Sequence, residues 1–193
     1  MERMAAPMED EGFYLGGGTA LALHLGHRKS IDLDWFTSER IDDPLRLVAR
    51  VLDSDIAIEE ARTDKGTVHG KVDGVRLSLF EYRYPLLGPI TRLEGSGVPI
   101  AALEDLAAMK LSAIAQRGTR RDFMDVHALA LEFRPLTRML DLYRRKFDIE
   151  DITHVVYGLS YFDDADAERP PTMLRDTDWE AVKADFRRWI REL

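Results

Sequence analysis

Asp32 and Asp34 are the pair of residues from which chemistry can first be read in this chain. They lie in Ser30–Phe36, where apolar and polar residues alternate as in a β-strand, so both carboxylates share one face. Their Cα atoms then stand about 6.6 Å apart, since each strand residue rises about 3.3 Å. Carboxylates so spaced can share one or two Mg²⁺ (or Mn²⁺) ions that also hold a triphosphate. Just upstream runs Leu15-Gly16-Gly17-Gly18-Thr19. Glycine lets backbone N–H groups approach a phosphate with no side chain in the way. Thr19–Leu25 reads as one or two helical turns whose N-terminus points at the same anion. Taken singly, three glycines are a turn and an Asp-x-Asp is a solvent-facing strand edge. Loop, helix and strand in this order are the minimal equipment for nucleotidyl transfer.

The elements that must position these groups follow from local signals. Phe13–Leu15 is the strand that delivers the glycine loop, and residues 1–12 are expected to form at most a frayed partial helix. Asp42-Asp43-Pro44 starts a helix, with an acid at the cap and proline in the first turn. Ile56–Glu60 reads as a strand, Thr63–Gly66 as a turn, and Thr67–Val72 and Val75–Tyr82 as a hairpin closed by Asp73-Gly74. From Tyr84 to Pro99, prolines and glycines predict a long loop beside substrate. Beyond it the pattern is helical. Ala102–Arg117 ends at Gly118, and Arg121–Phe133, Leu136–Arg145 and Asp151–Tyr161 follow. An acidic loop holds Asp163, Asp164 and Asp166, and Thr177–Glu180 reads as a capping box for a last helix. The expected fold is α+β: a mixed β-sheet with flanking helices over residues 1–99, then a helical region over 100–193 that contributes to the site.

Within the first of the later helices, Lys110 falls in the middle of the apolar stripe formed by Leu103, Leu106 and Ile114. A lysine so placed either snorkels to the surface or meets a counter-charge. The second reading is preferred, with Lys110 reaching Asp32 and Asp34 and holding a triphosphate. Asp122 and Asp125, three apart at a helix start, share one side of that helix. His24 and His27 lack a third soft ligand for a metal, and His27-Arg28 is expected to close on phosphate or on the carboxylates. Arg187, Arg188 and Arg191 form a basic edge on the last helix.

Gly16-Gly17-Gly18-Thr19-Ala20-Leu21, followed by Arg28-x-Ser30-x-Asp32-Leu33-Asp34, resembles the AbiEii/AbiGii toxin-type nucleotidyltransferases. These are a branch of the polymerase-β-like superfamily. Lys110-x6-Arg117-x3-Arg121-Asp122-x2-Asp125 is similar to that family's second block. The resemblance implies a catalytic set of Asp32, Asp34, Lys110 and Asp125, with Asp122 beside them. It implies a nucleotide site of Gly16, Gly17, Gly18, Thr19, Arg28, Ser30, Arg117 and Arg121. It also implies an NTP co-substrate, a tRNA, other RNA or protein acceptor, and an antitoxin partner. Two rival readings are a non-catalytic nucleotide- or protein-binding relative and an antibiotic-type nucleotidyltransferase. One departure stands out. The superfamily places a third carboxylate on a neighbouring strand, and Val75–Tyr82 has no mid-strand aspartate. Glu81 at the strand's end is the preferred third metal ligand, with Ser78 the alternative.

Composition narrows the class. The chain has 193 residues, 45% of them hydrophobic, which suits one domain with a helical extension. It has no cysteine, which fits a cytoplasmic protein and removes thiolate metal sites. The acidic start lacks the apolar run of a signal peptide, and no segment is long enough to span a membrane. A net charge of −8 repels nucleic acid over the surface as a whole, so an RNA acceptor needs a local patch.

Overall fold

The structure, a computed structural model, describes residues 2–193 and divides into two compact units. One comprises the chain up to Ala20 together with Ser30–Ala102; the other comprises Leu21–Lys29 and Leu103–Leu193. The stretch Leu21–Lys29 thus belongs with the helices, although the sequence places it among the strands. The physical reason is the set of bonds that His27, Arg28 and Lys29 make, described below.

The first unit contains helix α1 (Glu2–Asp10), strand β1 (Tyr14–Leu15) and the start of α2 (Gly17–Leu25). These are followed by β2 (Leu33–Thr37), α3 (Pro44–Asp53), β3 (Glu59–Asp64), β4 (Thr67–Val72), β5 (Val75–Glu81), β6 (Thr91–Arg92) and β7 (Pro99–Ile100). Its sheet has the order β3-β4-β5-β2-β1-β7-β6. β2 lies at its centre, antiparallel to β1 and parallel to β5, with Asp34 opposite Ser78 and Phe36 opposite Phe80. Side chains alternate across a sheet, so this register fixes two faces. Leu33, Trp35, Leu77, Leu79, Val68 and Val72 are buried on one face, and Leu47, Val51, Met4 and Met8 of the helices are buried with them in the core of this unit. The opposite face carries Asp34, Ser78, Phe36 and Phe80.

Local chemistry accounts for several boundaries. Asp43 caps α3 by accepting from the Arg46 N–H at 3.0 Å, a contact worth about 1 kcal/mol. Asp73 and Gly74 both have positive φ, at 52° and 75°, as a two-residue hairpin turn requires. Other boundaries differ from expectation. Residues 2–10 form a packed helix because Met4 and Met8 reach the core. The segment expected as one long loop contains β6 and β7, because Ile100 pairs with Leu15.

The second unit contains the end of α2 and helices α4 (Leu103–Gln116), α5 (Arg120–Glu132), α6 (Leu136–Phe147), α7 (Thr153–Ser160), α8 (Asp163–Ala167) and α9 (Trp179–Arg191). α4 packs against α5, α6 and α7. Phe123, Phe162, Trp179 and Phe186 form an aromatic core in which Phe123 meets each of the other three rings. Lys146 of α6 reaches Asp105 of α4 at 2.6 Å, with both side chains wholly buried. The expected acidic loop is the short helix α8, and Asp166 within it takes the Trp179 indole N–H and Lys183. The cap of α9 is Asp178 rather than Thr177, accepting from the Ala181 N–H at 3.0 Å. Among the described residues, no helix is long and apolar enough to cross a membrane.

Candidate active site

In the sheet unit, the turn from β1 into α2 is built against Asp34. The Gly16 N–H donates to the Asp34 carbonyl at 2.8 Å. Gly17 has φ +62°, and a Cβ added there would lie 2.7 Å from Asp34 Oδ2. Both the backbone conformation and the close approach therefore demand glycine. The consequence is chemical: the Asp34 carboxylate sits against the first residue of α2, where helical N–H groups lack intrahelical acceptors. Thr19 is buried, and its hydroxyl bonds to Ser30 Oγ at 2.9 Å and to the Asp32 carbonyl. These bonds tie α2 to the segment entering β2.

Asp32 precedes β2 and holds a partner that sequence reasoning missed. Arg76 of β5 donates to both of its oxygens, Nε at 3.0 Å and Nη2 at 2.9 Å. Arg76 is largely exposed and Asp32 partly so. The signal lay in Arg76 standing two residues from Ser78, on the same strand face, once β5 is placed beside β2. Ser78 stands opposite Asp34, and its hydroxyl lies 3.2 Å from His69 Nδ1. The expectation for Glu81 is corrected here. Glu81 pairs with Thr37, and by the two-residue period its side chain belongs to the other face. Its carboxylate accepts the Ile41 N–H at 3.0 Å. Ser78, not Glu81, occupies the place beside Asp34.

In the helical unit, Asp125 is the centre of a buried ion cluster. Its Oδ1 accepts from His27 Nε2 at 2.7 Å and Arg28 Nε at 2.6 Å; its Oδ2 meets Arg28 Nη2 at 2.8 Å and Lys110 Nζ at 2.7 Å. Burial alone would raise the Asp125 pKa. The Lys110 charge and the bonds from Arg28 and His27 override it and hold the carboxyl well below the usual carboxylate range. Asp122 accepts Arg117 Nε at 2.8 Å and the Thr119 hydroxyl at 2.6 Å, and lies 3.3 Å from Lys110. Its pKa is also lowered: desolvation opposes the shift, and Arg117, Lys110 and Thr119 outweigh it. Three permanent cations, Arg28, Lys110 and Arg117, thus face the two carboxylates.

The structure brings together His27, Arg28, Lys110, Arg117, Asp122 and Asp125, which sequence reasoning named separately. Lys110 occupies the buried stripe position expected of it, 5% exposed, with Asp122 and Asp125 as its counter-charges. Arg117 is the exposed member of the cluster, and Arg121 is exposed next to it. The loop carrying His27 and Arg28 is pinned further, since the Lys29 N–H donates to the Thr172 carbonyl and the Leu174 N–H to the His27 carbonyl, each at 2.9 Å.

The donor set fits a hard cation. Among the described residues no group of three or more His, Cys, Asp or Glu converges on a metal position. Mg²⁺, however, is commonly held by one or two carboxylates and completed by substrate phosphates and water. Asp32 and Asp34 supply that number, next to a helix N-terminus suited to those phosphates.

Comparison with known proteins agrees with this geometry. A protein of Aquifex aeolicus with no described function is 36% identical over 183 residues, covering 93% of this chain and 87% of its own. MenT4, the nucleotidyltransferase toxin Rv2826c of Mycobacterium tuberculosis H37Rv, is similar in structure with a TM-score of 0.64 at 17% identity, covering all of this chain and 82% of its own. JHP933 of Helicobacter pylori gives 0.58 at 23% identity, covering all of this chain and 88% of its own. These two likenesses show a shared mixed α/β nucleotidyltransferase fold. The family model for the nucleotidyl transferase AbiEii toxin of type IV toxin–antitoxin systems matches residues 1–192, through both blocks of site residues. The chain therefore belongs to the AbiEii family of nucleotidyltransferase toxins, and it is a nucleotidyltransferase by membership and by fold.

Proposed function

We propose that this protein moves a nucleoside monophosphate from an NTP to a hydroxyl on an acceptor, an RNA such as tRNA or a protein, as the toxin of a pair whose antitoxin restrains it. The observation that supports the reading is Asp34 lying against Gly17, a carboxylate beside the kind of helix end that suits phosphate. Asp32 and Asp34 would hold Mg²⁺ or Mn²⁺, which supplies charge neutralisation on the phosphates when bound. The N–H groups opening α2, at Gly17, Gly18 and Thr19, hold phosphate oxygens; Thr19 and Ser30 act by bonding to each other and fixing that turn.

The chemistry then balances simply. The acceptor oxygen bonds to the α-phosphorus, the bond to the β-phosphate bridging oxygen breaks, and pyrophosphate leaves. The acceptor's proton passes to a base, for which the Asp34 carboxylate or water is suited. In the helical unit, Asp125 acts by holding Lys110, Arg28 and His27 in one arrangement. Arg117 and Arg121 are exposed cations of that unit. Incubation with each labelled NTP, Mg²⁺ and total tRNA or cell extract tests the reading. Label should move to RNA or protein, and Asp34→Asn should abolish the movement. Label on neither acceptor, with every NTP tried, would sink it.

A further inference from the structure

A run of aromatic rings leads away from the aspartates on the same face of the sheet. Phe36 stacks on Phe80 at 5.2 Å between centroids and meets Tyr82 edge-on at 5.3 Å. Tyr82 in turn lies 4.9 Å from Tyr84, and His69 meets Phe80 at 5.6 Å. Exposure grades along this run. Tyr14 and Phe36 are buried, Phe80 and Tyr82 are half-buried, and Tyr84 is 45% exposed. The buried end is ordinary core. The exposed end is not needed for core, and it is interleaved with arginine as Tyr82-Arg83-Tyr84, with Arg83, Arg76 and Arg62 all exposed.

Position sharpens the meaning. Phe36 and Phe80 follow Asp34 and Ser78 by two residues, about 6.6 Å along the strands. β2 carries the aspartates between two neighbours, β1 on one flank and β5 on the other. β1 leads into the glycine turn, where the triphosphate belongs; β5 carries Phe80 and leads to the tyrosines. Displacement at phosphorus needs the attacking hydroxyl opposite the departing pyrophosphate. A phosphate cradle on one flank therefore calls for an acceptor site on the other.

We infer that Phe80, Tyr82 and Tyr84 stack the unpaired terminal bases of an acceptor RNA strand, with Arg83 contacting its backbone. Stacked rings interleaved with arginine take single-stranded nucleic acid without demanding a sequence. They also supply the local patch that a chain of net charge −8 requires before RNA can approach. The inference rests on the transfer reading for the identity of the strand as acceptor, while the stacking itself is measured without turnover.

The test uses the full chain and two fluorescent probes. One is a short single-stranded oligoribonucleotide with 2-aminopurine at its 3′ end, and the other is 2-aminopurine riboside triphosphate. The oligonucleotide should be quenched on binding. Tyr84→Leu and Tyr82→Leu should each weaken its binding about tenfold, and Tyr84→Phe, which keeps the ring, should bind as wild type. Tyr84 is exposed enough for its replacement to leave the fold intact, and circular dichroism checks this. Equal binding by wild type and both leucine variants would overturn the inference. So would quenching that appears only with the triphosphate probe, or label transfer to protein that the leucine variants perform unchanged. A wild type that transfers nothing yet shows the expected quenching defeats the transfer reading and leaves the stacking site standing. Loss of transfer in Asp34→Asn beside unaltered binding in the leucine variants does the reverse.

Discussion

Two pairs of aspartates serve this molecule in opposite electrostatic settings. Asp32 and Asp34, two apart at a strand, lie partly exposed, and the cation on Asp32 is a largely solvated arginine. Asp122 and Asp125, three apart on a helix, are buried to 1% or less and ringed by Lys110, Arg28, Arg117 and His27. Asp32 can exchange its arginine for a cation at little cost, because water screens what is broken. The buried pair cannot, because each bond lost leaves a charge stranded in a low-dielectric interior. Asp32 is held by a solvated partner, whereas Asp122 and Asp125 are saturated by the buried side chains they hold. The comparison also changes the expected part of Lys110. Its ammonium is held by Asp122 and Asp125, which the sequence did not name as its counter-charges.

The largest effect expected from breaking this contrast is on stability. Asp125→Asn removes the charge that compensates Lys110 and Arg28, and should cost about 3–5 kcal/mol. Asp34→Asn should change stability by less than about 1 kcal/mol, since Asp34 is only partly buried. Urea denaturation of the two variants measures both. A small loss for Asp125→Asn would mean that the cluster is not what holds the α2–β2 loop to the helices.

Activity should show the inverse order. Asp32→Asn and Asp34→Asn should each lower transfer by about 10²–10³-fold at fixed Mg²⁺ while the melting temperature holds. Glu81→Gln should keep most of the activity, because its carboxylate serves the Ile41 N–H on the far face. Comparable initial rates for Asp34→Asn and wild type would place the metal elsewhere.

Much of this could be read from sequence because it is local. The glycine turn, the Asp-x-Asp strand, the Asp43 cap and the Asp73-Gly74 hairpin each depend on residues within a few positions. What could not be read depends on distant partners. β6 and β7 are two residues each, and they exist because Ile100 finds Leu15. The stripe on α4 turned Lys110 inward, and the counter-charges expected for it were Asp32 and Asp34; those it meets in the structure are Asp122 and Asp125. Arg28 and Asp125 are 97 residues apart, and no periodicity links them. Period two separates the faces of β5, but only the register to β2 decides that Ser78 faces Asp34 and that Arg76 reaches Asp32. Family blocks supplied the list of candidate site residues, and the geometry supplied their hydrogen-bond and ion-pair partners.

Acid should reveal the buried pair, with a smaller effect. The folded pKa of Asp125 lies below its unfolded value of about 3.9, and Asp122 is shifted the same way. Their stabilisation is therefore complete above that pH and is lost as pH falls below about 4. Each carboxylate contributes up to about 1.4 kcal/mol per pH unit in that range. Denaturation midpoints from pH 7 down to about pH 3 should fall steeply at the end for wild type and less steeply for Asp125→Asn. Parallel curves for the two would remove the cluster as the source of acid sensitivity.

The smallest effect concerns Arg76, and it bears most directly on how the exposed pair works. Arg76 covers both oxygens of Asp32 with two hydrogen bonds, so a divalent cation must displace it or share the carboxylate with it. As an exposed ion pair it contributes about 1 kcal/mol or less to stability. The same figure limits its hindrance to metal, which amounts to about fivefold in affinity at low salt. Arg76→Ala should therefore leave the melting temperature nearly unchanged and bind Mn²⁺ a few-fold more tightly. The gain should shrink as ionic strength rises, because added salt screens the exposed guanidinium first. Calorimetric titration of wild type and Arg76→Ala with Mn²⁺, at low and high salt, measures this. If the variant binds Mn²⁺ more weakly, Arg76 orients Asp32 for the metal instead of competing with it, and the exposed pair is preorganised in the same sense as the buried one.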